Sequence, residues 1–152
     1  MDFAMNEEIT NALKEVQRSR KLSGSVLVTL NRLCGERFWK ALQAVANDLV
    51  KKYVFEPSGR EAWIVVGRSR EYPVLSEIYC NCEDFYINVI VKRRADVCYH
   101  ILAKSLAEAL GVFSEVRVDD MSYDTLRAEW ESLPQQREPS KRAQADDEVG
   151  KS

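Results

Sequence analysis

Cys80-Asn81-Cys82-Glu83-Asp84-Phe85 and Cys98-Tyr99-His100 hold three of the chain's four cysteines and its one histidine. The spacing is C-x-C, 15 residues, then C-x-H, giving two tight pairs of soft or borderline donors. That set suits a closed, tetrahedral zinc site. Residues two apart share a face in a strand but sit about 200° apart in a helix. Cys80 and Cys82 therefore need extended or knuckle backbone, and by strand parity Cys80 falls on the face of Tyr72, Val74 and Ile78. Cys98 and His100 can converge if Cys98 precedes a helix and His100 lies in its first turn. Three thiolates and a neutral imidazole leave a zinc site with a net charge of about −1 and no open position for water, which makes it structural in kind. Cys34 lies outside the pattern, in an apolar helical stretch, and reads as a buried thiol.

The elements on either side fit such a clamp. Upstream, Ala62–Val66 is rich in strand formers, Gly67–Arg70 reads as a hairpin tip, and Glu71–Tyr79 returns as the partner strand. Pro73 points to an edge position. Before them, Tyr53–Phe55 is a short strand candidate ended by the turn Pro57-Ser58-Gly59. Downstream, residues 83–91 fit a helix with Phe85 and Val89 four apart. His100–Leu110 is the clearest helix of this half, with Leu102, Leu106 and Ala109 as its stripe and Gly111 as its stop. Phe113–Val118 reads as one more strand, and Met121–Leu133 as a last helix holding Leu126 and Trp130.

Towards the N-terminus the periodicity becomes helical. Asn6-Glu7-Glu8 is a helix start, followed by Ile9, Leu13 and Val16 on one face. Ser25–Leu33 carries both signals: strand propensity in Ser-Val-Leu-Val-Thr-Leu, and a helical stripe of Val26, Leu30 and Leu33 that favours a helix. Glu36–Val50 shows Phe38, Leu42, Val45 and Leu49 on one face. The expected class is α+β: N-terminal helices, a small antiparallel sheet with a zinc knuckle, then C-terminal helices. The regions are 1–56 (helical), 57–111 (finger), 112–133 (strand and helix packing on the finger) and 134–152, a polar tail expected to be disordered.

With 152 residues the chain has room for one domain, and its 45% hydrophobic content suits a globular core. A formal charge of −2 gives no whole-molecule attraction to nucleic acid, so such contact would rest on local patches. The candidates are Arg68 and Arg70 at the hairpin tip, Lys92-Arg93-Arg94 beside the ligand pattern, and Arg18, Arg20 and Lys21. Residues 57–111 balance seven basic side chains (60, 68, 70, 92, 93, 94, 104) against seven acidic ones (61, 71, 77, 83, 84, 96, 108), which ranks a protein partner above DNA. The acidic opening Met1–Glu8 is no signal peptide, and no segment reaches the length of a membrane span. An intracellular, reducing compartment is expected, which favours thiolate ligation over disulfides. The chain lacks the His-x-Glu plus Pro-Cys-x-x-Cys signature, H-E-x-x-H and a Walker-type loop, so a non-enzymatic role is expected.

Cys80-Asn81-Cys82 with Phe85, and Cys98-Tyr99-His100 with Ile101-Leu102-Ala103, together resemble the SWIM zinc finger. That family's pattern places an aromatic three positions after C-x-C, and aliphatics and a small residue after C-x-H. The lead-in Trp63-Ile64-Val65-Val66-Gly67 through Tyr72 is similar as well. Pro57-Ser58-Gly59-Arg60, the length and the helical N-terminal region look like one subgroup, the small SWIM subunit of the Shu complex. The resemblance implies Zn²⁺ on Cys80, Cys82, Cys98 and His100. It also implies accessory work in homologous recombination and DNA repair beside a RecA-type recombinase paralogue or another repair protein, with DNA as a further partner. The compartment would be the cytoplasm of an archaeon or the nucleus of a eukaryote. The alternative is a stand-alone DNA-binding regulator, for which His100–Leu110 offers only Lys104 to base edges. A second face of the N-terminal helices is a candidate for a partner or for self-association as a homo-oligomer, with no residue singled out for it.

Overall fold

The Asn6 side-chain carbonyl accepts the Glu8 amide at 2.6 Å and opens helix α1, Glu7–Ser19, which buries Ile9, Ala12, Leu13 and Val16. The computed structural model describes residues 6–68, 70–75, 79–80 and 82–131. The expected tail from residue 134 lies outside them. Ser23 caps α2, Gly24–Cys34, by accepting the Val26 amide at 3.3 Å. The helical stripe therefore prevails over strand propensity: Val26 and Leu30 are buried in the core, which rewards a 3.6-residue period and not alternation. Helix α3 covers Glu36–Ala46 and ends earlier than the stripe through Leu49 suggests. Asp48 takes a left-handed φ of 59°, and the Leu49 amide reaches back to the Ala44 carbonyl at 2.9 Å. The chain is thus turned out of the helix and straight into a strand.

That strand, β1 (Val50–Glu56), pairs antiparallel with β2 (Glu61–Val66), and β2 pairs antiparallel with β3 (Glu71–Leu75). The expected strand Glu71–Tyr79 is two strands: β3 is followed by β4, Tyr79–Cys80, antiparallel to it with Val74 opposite Cys80. Among the described residues β4 reaches Val74 and Leu75, and Pro73 pairs with Ile64 of β2. Strand β5, Ser114–Asp119, lies on the far side of β1 and runs parallel to it, giving the order β4-β3-β2-β1-β5. The α+β class holds, with a correction: the sheet is mixed, not antiparallel throughout. Long-range parallel pairing needs a crossover, here the whole of 57–113, and leaves no local turn signal.

Alternation along the strands sorts two cores onto opposite faces of the sheet. Val50, Val65 and Val74 point to the larger one, shared with α1, α2, α3 and helix α4 (Tyr99–Leu110). Phe55 and Ile64 point the other way, onto Trp130 of helix α5 (Tyr123–Trp130) with Tyr53, Tyr123 and Leu126 around it. A 3₁₀ turn, Asp120–Ser122, leads into α5, so the last helix starts later than Met121, and Leu133 lies outside the described residues. The N-terminal helices share one core with the finger, and β1, grouped with them in the sequence, belongs to its sheet. Among the described residues no helix is long and apolar enough to cross a membrane.

Candidate metal centre

β3 and β4 bring the first ligand pair to the larger core. Residues opposite one another in an antiparallel pair share a face, so Cys80 lies beside Val74, and both are buried. For Val74 the face is the one parity assigns, but cross-strand pairing delivers Cys80 to it, and Ile78 lies outside the described residues. The chain then turns at Cys82, whose sulfur accepts the Phe85 amide at 3.3 Å. This is the knuckle the C-x-C spacing requires. From Phe85 to Val91 the backbone is a π-helix, closed by the Lys92 amide on the Ile87 carbonyl at 2.8 Å, where a plain α-helix is expected. Phe85 and Val89 face the core, and the Arg94 and Ala95 amides fold back onto the Asn88 carbonyl at 2.8 and 3.2 Å.

The second pair sits where α4 begins. Cys98 is the N-cap in extended conformation, φ −90° and ψ 168°, and the Leu102 amide bonds its carbonyl at 3.2 Å. His100 is in the first turn, as the ligand spacing demands. Gly111 stops the helix in the left-handed region at φ 76°. Ligand atoms of Cys80, Cys82, Cys98 and His100 all lie within 4.8 Å of one another, and all four residues are buried. Tetrahedral Zn–S bonds of about 2.3 Å would place sulfurs about 3.8 Å apart, so the cluster has the right dimension.

Two observations test whether a metal fits. Both His100 ring nitrogens are buried without a hydrogen-bond partner, an expensive state that a bond to a metal relieves at one of them. Burial pushes the Cys80 and Cys98 thiols well above the ordinary range, while hydrogen bonds from Cys80 and Cys98 hold Cys82 well below it. Burial therefore works against three neighbouring thiolates unless a cation stands among them. A divalent ion lets all three ionise. Cys80, Cys82, Cys98 and His100 form a metal-binding group, and three sulfurs with one imidazole nitrogen suit zinc.

Some surrounding residues escape a sequence reading. The Tyr72 ring stacks on His100 at 4.2 Å between centroids, and Tyr99 flanks it at 4.1 Å. Arg37 of α3 grips Asp84 with two hydrogen bonds, 2.9 Å from Nε and 2.8 Å from a terminal nitrogen, and Asn88 donates to the same carboxylate at 2.7 Å. Only the position of Asp84, two residues past Cys82, hints at this. Cys34 is half-buried, not buried as expected, because the end of α2 leaves it at the edge of the core.

The basic candidates occupy different elements. Arg68 at the β2–β3 tip is exposed, as are Lys92, Arg93 and Arg94 after the π-helix. Arg70 turns inward, donating to the Trp130 carbonyl at 2.6 Å and lying 5.0 Å from the Tyr72 ring. Arg20 donates to the Ala109 carbonyl at the end of α4 at 3.0 Å, and Arg18 and Lys21 remain exposed.

A buried Cys₃His group clamped between a hairpin, a knuckle and a helix N-terminus defines a closed zinc-finger module. The chain is 33% identical over 114 residues to zinc finger SWIM domain-containing protein 7 of Danio rerio, covering 71% of this chain and 81% of that protein. It is 28% identical to the Homo sapiens protein of that name over 118 residues, 76% of this chain and 84% of the relative. With the Dictyostelium discoideum homologue it shares 27% identity over 128 residues, 83% and 82% of the two chains. No protein-family model matches the chain, and no solved structure matches it. The chain belongs to the SWIM zinc-finger family.

Proposed function

We propose that this protein is a non-enzymatic, zinc-stabilised accessory factor of homologous recombination and DNA repair, acting by binding a RecA-type recombinase paralogue. Zn²⁺ is the ion for which the Cys80, Cys82, Cys98 and His100 group is built, and its role is to hold the hairpin to α4. The observation that carries the reading is the surface this clamp displays. Between the two ligand pairs, the π-helix turns Phe85 and Val89 inward and leaves Tyr86 and Val91 63% and 56% exposed. Exposed Ile87 adds to this patch, and Lys92, Arg93 and Arg94 follow it directly. An apolar patch with a polar rim is the anatomy of a protein-binding surface. The basic run beside it is where DNA would be touched once the partner is bound.

The stand-alone regulator is less well supported. Its recognition element would be α4, but residues 100–107 of that helix are all buried, leaving no face to enter a groove. Co-expression with a RecA-type paralogue, followed by size-exclusion chromatography, tests the proposal. A stoichiometric complex weakened by Tyr86→Ala with Val91→Ala is expected. Gel shifts across a salt series complete it: tight, sequence-selective DNA binding by the isolated protein would overturn the adaptor reading.

A further inference from the structure

The metal ligands come from two segments separated by 15 residues, and something must hold those segments in register. Asp84 stands two residues after Cys82, and its carboxylate is held on both oxygens by Arg37 and also by Asn88. Asn88 reaches the other pair: its backbone carbonyl accepts the Arg94 and Ala95 amides at the turn that leads to Cys98. The chain Arg37–Asp84–Asn88 thus links α3 to the knuckle and to the approach of the second ligand pair. Arg37 and Asp84 are each about two-thirds shielded, with 32% and 33% of their side-chain surface exposed. In such partial shelter a two-pronged guanidinium–carboxylate pair holds its geometry better than a free surface pair. The guanidinium also lies within electrostatic reach of Cys98. It is therefore a fixed positive charge beside a group that carries about one net negative charge with zinc bound.

We infer that Arg37, through Asp84 and Asn88, is a positioning residue for the metal centre and slows zinc release without itself touching the ion. The inference rests on the zinc reading above. It makes α3 and the metal mutually dependent: by linkage, an ion held more tightly when α3 is docked must hold α3 more tightly when bound. Anything that pries α3 away from the knuckle would thereby loosen the ion.

The experiment is zinc release from the full chain into excess colorimetric chelator, with zinc content measured first. Arg37→Met and Asp84→Asn are expected to release zinc about tenfold faster or more. Arg37→Lys, which keeps the charge but loses the fork, should fall between them and the wild type. Trp130→Ala is the control for stability alone, because it damages the opposite face of the sheet. If release merely follows fold stability, Arg37→Met will be no faster than Trp130→Ala at an equal loss of stability, and the inference fails. Addition of zinc should also slow amide exchange in Glu36–Ala46, and unchanged exchange there would overturn it too. A wild-type protein that carries no zinc refutes the metal reading itself. Zinc-loaded wild type with unaltered Arg37 variants refutes only the positioning role.

Discussion

The Tyr72 ring lies 4.2 Å from the imidazole of His100, inclined by 28°, and it can do so because residue 67 has no side chain. A Cβ on Gly67 would stand 2.6 Å from Tyr72 Cε2 and 3.0 Å from the Arg70 carbonyl oxygen. The hairpin tip, the aromatic wall and the ligand are therefore in steric series. The demand on Gly67 is one of space, with no backbone conformation reserved to glycine.

Gly67→Ala should destabilise the zinc-loaded protein by about 1–3 kcal/mol, the usual range for overpacking. Urea denaturation at saturating zinc measures this. A midpoint equal to wild type would show that the Tyr72 ring yields freely and does not wall the ligand.

Loss of a ligand should be far more severe. Structural zinc contributes about 10–16 kcal/mol of apparent binding energy in small zinc domains, against about 5–15 kcal/mol of stability for a typical domain. His100→Ala and Cys98→Ser are expected to purify without stoichiometric metal and to lose cooperative unfolding across residues 60–111. Metal analysis with thermal melts checks both, and a metal-free wild type with a sharp melt would contradict the scheme.

Cys34 should be a slow thiol. Burial first, and Asp96 next, raise its pKa to about 11, with Arg37 opposing. Below that value the reactive thiolate grows about tenfold per pH unit, so alkylation at Cys34 should accelerate steadily from pH 7 to 10. One slow cysteine in the zinc-loaded protein, and four after chelation and unfolding, is the expected count by mass spectrometry. Rapid, pH-independent labelling of Cys34 would exclude this environment.

Trp130 anchors the smaller core. Its indole donates to Glu71 at 2.8 Å and meets Tyr53 edge-on at 5.0 Å. Trp130→Ala should cost about 3–5 kcal/mol and leave the zinc content of the folded protein unchanged. Calorimetry beside metal analysis would show the two faces failing independently. Zinc loss in parallel with α5 would mean that they do not.

The metal ligands and the start of α4 were legible from sequence because both follow from short spacings: C-x-C and C-x-H each restrict the backbone within three residues. The hairpins and α1 were legible for the same reason, through Pro57-Ser58-Gly59, Gly67 and the Asn6 cap. What escaped depends on residues far apart in the chain. Nothing near Ser114 announces that it will lie beside Lys51, nor does anything near Arg37 announce Asp84. The split of β3 from β4 was hidden because Glu71–Tyr79 has strand-like composition on both sides of the break. The π-helix was hidden because Phe85 and Val89 fit an α-helix equally well. Arg70 looked like a surface cation because its acceptor, the Trp130 carbonyl, arrives only with α5.

The parallel seam between β1 and β5 bears on how the protein is born. Synthesis proceeds from the N-terminus, so Lys51–Glu56 emerges with β2 soon available on one side and bare amides and carbonyls on the other until Ser114–Asp119 follows. During that interval the nascent chain carries an open strand edge able to recruit a neighbour. The late arrival of β5 removes that edge from reach, and a ribosome stalled before it would leave the chain sticky.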